Sequence, residues 1–355
     1  MGIETLLLWL AVFAGGYMAF NIGANDVANA MGTSVGSKAL TLRQAVLVAM
    51  VFEFAGAVLV GTSVTGTISK GIIDPTYFAA EPHLLMYGML STLLAAGIWL
   101  QLATTFGLPV STTHSIVGAI LGFGLIAGGP QTVQWGKVIQ IVMSWFISPV
   151  SGALIAYGIY RFIANRIIAV AEPVRAVRRY TPYLASLTIF ILILSFIYKG
   201  LKNLHLDLSL PTALLYAGAG ALACGLLSKY LLTRFVDDKA ESLEQQFAVV
   251  EGVFRYLQIL TACYVAFAHG ANDVANAVGP LATIIAIRRT QSVTATVEVP
   301  FWILVAGAIG IVIGLSTFGA RVIATIGNKI TELTPSRGFA ATFAAATTVL
   351  VCSRL

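Results

Sequence analysis

The chain has 355 residues, 58% of them hydrophobic and only 10% charged, which leaves too little polar surface for a water-soluble fold of this length. Its formal net charge of +6 would suggest a nucleic-acid partner in a soluble protein. Here the basic residues cluster between apolar runs, where membrane orientation accounts for them, and no nucleic-acid partner is expected.

In chain order, apolar runs near the roughly 20 residues that cross a bilayer fall at 3–35, 44–64, 84–104, 115–128, 135–160, 181–198, 211–232, 254–287 and 299–318, with an apolar tail from 338. The expected class is therefore all-α, a polytopic transmembrane helical protein. The first run has no Lys or Arg ahead of it and no clean cleavage site, so it reads as a span rather than a secretory leader. Cys224, Cys263 and Cys352 lie far apart in apolar surroundings, without metal or disulfide spacing. His83, His114, His205 and His269 form no HExxH, and neither GxSxG nor GxxxxGK[ST] occurs. An intramembrane enzyme and an ATP-driven pump are both disfavoured.

Tyr17–Gly32 aligns without gaps on Tyr264–Gly279 at an offset of 247 residues, with twelve of sixteen positions identical. Both copies contain Gly-Ala-Asn-Asp-Val-Ala-Asn-Ala. Gly23 and Gly270 are expected to interrupt their helices, and Asn25/Asp26 and Asn272/Asp273 to cap the half-helices that follow. The expected organisation is a first inverted repeat over 1–160, a linker region over 161–253 with a basic segment and two spans, and a second inverted repeat over 254–355. The register sets Ser353-Arg354-Leu355 opposite Thr104-Thr105-Phe106, so the second copy is expected to stop before its own GLPxSTTH element.

Arg161, Arg166, Arg175, Arg178 and Arg179 against the single Glu172 mark a cytoplasmic segment. Walking outward from it, inversion of the first copy places fourteen basic residues inside and six outside, with the N-terminus outside. The stretch 84–128 must then begin and end outside. Gly107 and Pro109 break helix between its two arms, and the second arm is short, so a re-entrant hairpin is expected.

Duplicated, inverted and interrupted spans point to a secondary transporter with its site at the repeat interface. Asp26 and Asp273, with Asn29 and Asn276 one turn after Asn25 and Asn272, offer oxygen ligands to a small cation such as Na⁺. Ser111, Thr112 and Thr113 would open a half-helix whose amides, hydroxyls and positive dipole end suit an anion. Glu53 and His269 are candidates for coupling or the pathway. Cation and anion ligands in one core suggest a symporter; a channel is the alternative of a different class.

The two GANDVANA elements, one preceded by His269, and the tip Gly107-Leu108-Pro109-Val110-Ser111-Thr112-Thr113-His114 resemble the inorganic phosphate transporter (PiT/Pho4) family, over nearly the whole chain. The resemblance implies inverted repeats, broken helices, phosphate as substrate, coupling to Na⁺ or H⁺, and a homodimer in the plasma (inner) membrane, with sulfate carried by related members. It implicates Asn25, Asp26, Asn272 and Asp273 in ion and substrate binding, Ser111, Thr112 and Thr113 in phosphate contact, and Glu53 and His269 as sensitive positions. The resulting expectation is phosphate import coupled to Na⁺ by alternating access, with no cofactor beyond the coupling ion.

Overall fold

The computed structural model describes residues 3–61, 71–199, 208–236, 242–294, 297–329 and 333–352. Lys70, Lys202 and Lys239, counted among the orienting charges, lie outside the described residues, as do His205 and Arg354. Among the described residues the fold is helical throughout, apart from 3₁₀ turns, a π turn and one isolated bridge between Ile73 and Val133. The helices are α1 (Ile3–Gly36), α2 (Leu42–Val60), α3 (Pro82–Thr105), α4 (Thr112–Ala127), α5 (Trp135–Ile163), α6 (Pro173–Lys199), α7 (Leu210–Phe235), α8 (Leu243–Thr290), α9 (Phe301–Thr317), α10 (Gly319–Lys329) and α11 (Pro335–Cys352). Among the described residues seven are long and apolar enough to cross a membrane, and α9 with α10 makes a further candidate bent by 63°.

The chain folds into two compact units, each discontinuous in sequence. The first contains residues 1–32, 42–145 and 266–329. Its principal packings are α2 on α9 and α3 on α4, so elements of both sequence copies build it. The second contains residues 33–41, 146–265 and 330–355. Here α6 packs on α7 and α11 on α6, around a core that includes Ile163, Val177, Leu184, Phe254 and Phe339. Side chains left at its surface are largely apolar, among them Leu215, Leu222 and Leu226 on α7. A lipid solvent accommodates such faces, since hydrocarbon exacts no penalty for exposed Leu.

The structure corrects one expectation. Neither motif helix is interrupted: α1 runs unbroken through Gly23 and α8 through Gly270, and neither glycine adopts a positive φ. Their role is close approach. A Cβ on Gly23 would overlap the carbonyl oxygen of Ile311 on α9, and one on Gly270 would overlap that of Glu53 on α2. The glycines permit backbone-to-backbone helix contact, as small residues do in membrane bundles. Asn25, Asp26, Asn272 and Asp273 accordingly lie inside helices and cap none. The break instead falls at Phe318, between α9 and α10.

The break expected after α3 is present. Gly107 stands at φ +68°, a left-handed conformation that glycine accepts without a Cβ clash. Its N–H donates to the Thr104 carbonyl and that of Leu108 to the Ala103 carbonyl, both at 2.9 Å, the paired pattern that closes a helix C-terminus. Pro109 follows, and α4 begins anew at Thr112, reaching only 16 residues.

Candidate functional site

The tip between α3 and α4 is irregular, partly buried backbone, whose peptide groups need partners wherever water does not reach them. Asn25 of α1, only 1% exposed, supplies them. Its Nδ2 donates to Thr104 Oγ1 at 2.9 Å and to the Leu108 carbonyl at 3.0 Å, while its Oδ1 accepts from the Val110 N–H at 3.0 Å. Both ends of the Asn25 amide are thereby turned onto the hairpin. Ser111 caps α4, its Oγ accepting from the His114 N–H at 3.2 Å.

The next two hydroxyls divide between the sequence copies. Thr112 Oγ1 donates to Asp26 Oδ2 at 2.5 Å, and Thr113 Oγ1 donates to Asp273 Oδ1 at 3.3 Å. Each aspartate also accepts at its Oδ1 from the asparagine three residues on, Asn29 to Asp26 and Asn276 to Asp273, both at 3.1 Å. Asn276, fully buried, reaches Thr113 Oγ1 as well, at 3.4 Å. One hairpin tip thus organises equivalent Asp-x-x-Asn sets from two helices.

Behind the aspartates, His269 faces three carboxylates. Its Nε2 lies 3.1 Å from Asp273 Oδ2 and 3.5 Å from Asp26 Oδ2, and its Nδ1 lies 3.3 Å from Glu53 Oε2. Glu53 is fully buried, Asp26 nearly so, and Asp273 is the most open of the three. Even with both ring nitrogens protonated, one imidazolium faces three carboxylates. One ligand atom each from Asp26, His269 and Asp273 falls within 4.8 Å of the others, a spacing that one cation can bridge.

A cavity of about 270 Å³ opens against this cluster, lined by Asp26, Asn29, Asp273 and residues 109–113. Six expected residues, Asp26, Asn29, Ser111, Thr112, Thr113 and Asp273, therefore share one wall, with Asn276 and His269 linked to it through the aspartates and Glu53 through His269. Two expected residues stand apart: Asn25 is bound to the tip, and Asn272, half-buried, is not among the lining residues. His114 is exposed and its ring lies tilted against that of Trp145, with ring centroids 3.8 Å apart. Thr104 was missed; it is a single hydroxyl on an apolar helix, and nothing local in the sequence marks it as the anchor of Asn25.

The sequence profile described as "Phosphate transporter family" matches residues 22–355. The chain belongs to the phosphate transporter family. A Haemophilus influenzae protein put forward by name as a phosphate permease is 45% identical over 351 residues, covering 98% of this chain and 83% of that protein. "Inorganic phosphate transporter 2-1, chloroplastic" of Arabidopsis thaliana is 44% identical over 379 residues, covering 99% of this chain and 63% of its own length. Among solved structures, one titled "The sodium-dependent phosphate transporter" superposes with a TM-score of 0.88 at 44% identity, covering 98% of this chain and 84% of that one. Membership in the phosphate transporter family makes this a membrane transport protein and not an enzyme. Within that family frame, the first turn of α4 offers backbone amides and a positive dipole end to an anion, and the adjoining carboxylates offer hard oxygen ligands to cations.

Proposed function

We propose that the protein imports inorganic phosphate coupled to Na⁺ by alternating access, with two inverted repeats moving about the cavity at the start of α4. The observation that carries this reading is that the same cavity is lined by the hydroxyl-rich α4 N-terminus and by Asp26 and Asp273. Phosphate entering beside two carboxylates, with Glu53 behind them and only His269 in compensation, meets net repulsion in a medium of low dielectric. A cation bound with it removes that repulsion, so co-binding follows from charge balance. Asp26 with Asn29 and Asp273 with Asn276 supply oxygen ligands for Na⁺, which is cargo here. The first-turn amides of α4, with Ser111, Thr112 and Thr113, hold phosphate. Asn25 positions the tip they belong to.

The sodium-dependent title of the similar structure supports Na⁺ as the coupling ion. The charge asymmetry of the loops supports an N-terminus outside the plasma (inner) membrane. Homodimer formation belongs to the same proposal and is checked by the mass of the detergent-solubilised particle. In proteoliposomes, an inward Na⁺ gradient should drive accumulation of labelled phosphate, undiminished by excess sulfate, and a proton gradient alone should not. Accumulation driven by H⁺ without Na⁺ would replace the coupling ion, and leakage without accumulation would indicate a channel. Asp26→Asn and Asp273→Asn should each abolish Na⁺-driven uptake while the protein still inserts; near-normal uptake by either removes that residue from the site.

A further inference from the structure

Two cavities flank the start of α1 where it runs beside the end of α8. One, of about 250 Å³, has apolar walls from Leu7, Ala11, Met86, Leu90 and Ile284. The other, of about 530 Å³, is walled by Trp9, Val12, Ile285 and Trp302. Leu8 and Arg288 belong to both, and Arg289 borders the second. Leu8 precedes Asp26 by 18 residues on one continuous helix, about 27 Å of rise, so this region is separate from the transport cavity. With 34 residues, α1 is longer than the hydrocarbon core requires, so its start lies at one end of the span, and the exposed Trp9 and Trp302 mark the headgroup level there.

Three features coincide there. Apart from the arginines, the clefts are walled mainly by aliphatic and aromatic carbon, with His83 and Gln291 bordering the first. Trp9 and Trp302 are 59% and 53% exposed, and tryptophan favours the headgroup level, where its ring is half in hydrocarbon and its N–H in water. Arg288 and Arg289 form the last turn of α8, and among the described residues no carboxylate pairs with either. Two positive charges above hydrocarbon-lined clefts complement a lipid that is negative at the head and apolar below. Inorganic phosphate shares the arginine chemistry but leaves the apolar walls unfilled.

We propose that this region is a binding site for an anionic glycerophospholipid. Its phosphate lies on Arg288 and Arg289, its glycerol backbone beside Trp9 and Trp302, and its acyl chains in the clefts on either side of Leu8. The test uses the full chain, delipidated in detergent, with phosphatidylglycerol, phosphatidylcholine of the same acyl chains, or inorganic phosphate, read by native mass spectrometry and thermal melting. Phosphatidylglycerol should be retained and raise the melting temperature, and millimolar inorganic phosphate should not displace it. Arg288→Gln/Arg289→Gln should weaken phosphatidylglycerol retention by about 25-fold, since each basic residue at an anionic lipid surface contributes about fivefold. Phosphatidylcholine carries the same phosphodiester but is neutral overall, so its retention should fall by distinctly less than that of phosphatidylglycerol. If the double variant does not fold, Arg289→Gln alone should weaken retention by about fivefold. Equal retention of the two lipids, undiminished phosphatidylglycerol binding by the variants, or displacement by inorganic phosphate would each overturn the proposal.

Discussion

Where α1 crosses α9, Gly23 meets the carbonyl of Ile311 and Gly314 meets that of Phe20; where α8 crosses α2, Gly270 meets the carbonyl of Glu53 and Gly56 meets that of Phe267. The 247-residue offset of the repeat carries Phe20 onto Phe267 and Gly23 onto Gly270. In both crossings the paired positions are three residues apart on each helix. The geometry is therefore shared, while the side chains are not. Ile22 of α1 and Ile311 of α9 are fully buried hydrocarbon, whereas the positions equivalent to them carry His269 and Glu53, 3.3 Å apart. A duplicated scaffold has kept its backbone contacts and placed an ionisable pair in one crossing alone. Glycine makes the crossing possible, and Glu53 and His269 give one of the two crossings its charge.

The largest effect should come from breaking what the crossings share. Gly23→Val and Gly270→Val each drive a branched side chain into a backbone carbonyl that cannot rotate away. Each should cost about 3 kcal/mol or more, the upper end for overpacking, seen as loss of a monodisperse particle in detergent. Tolerance of one and not the other would show that the crossings are not mechanically equivalent. The next effect should come from erasing what distinguishes them. His269→Ile leaves Glu53 buried beside no cation, and removal of one partner of a buried pair costs about 3–5 kcal/mol. Glu53→Ile/His269→Ile removes the buried Glu53 charge and rebuilds the crossing as the apolar one, so thermal stability should recover above that of His269→Ile, short of wild type because Asp26 and Asp273 still lack their histidine. Phosphate uptake by that double variant should remain at least about tenfold below wild type, a loss of 1.4 kcal/mol or more. Full uptake would make the pair structural only.

Much of this arrangement was legible in the sequence. Twelve identities in sixteen positions exposed the duplication, and a carboxylate in an apolar run is costly enough to need a reason. The tip was legible because Gly107 and Pro109 are unambiguous helix breakers before three hydroxyls. The continuity of α1 and α8 was not. A glycine that lets the chain turn and one that lets two helices touch are the same letter, and only the carbonyls of Ile311 and Glu53 distinguish them. The histidine was equally ambiguous in one dimension, because Glu53 and Asp26 reach it only through the crossing of α2 with α8 and the packing of both copies into one unit.

Asn25 and Asn272 extend the comparison to the smallest expected effect. They are equivalent in the repeat, yet Asn25 makes three hydrogen bonds to the tip of the α3–α4 hairpin, and none is formed by Asn272 among the described residues. Asn25→Ala leaves the Leu108 carbonyl and the Val110 N–H without their partner. These groups are only partly buried, so orphaning them should cost about 1 kcal/mol, the low end for buried groups. Because those groups hold Ser111, Thr112 and Thr113 in place, the loss should also appear as a raised KM for phosphate, with the bilayer-inserted protein otherwise intact. Asn272→Ala removes no such strut and should change stability by no more than about 0.5 kcal/mol, the usual range for a substitution that breaks no contact. A KM shift as large for Asn272→Ala as for Asn25→Ala would assign Asn272 a direct part in binding. It would also mean that the two copies serve the substrate symmetrically despite their unequal contacts.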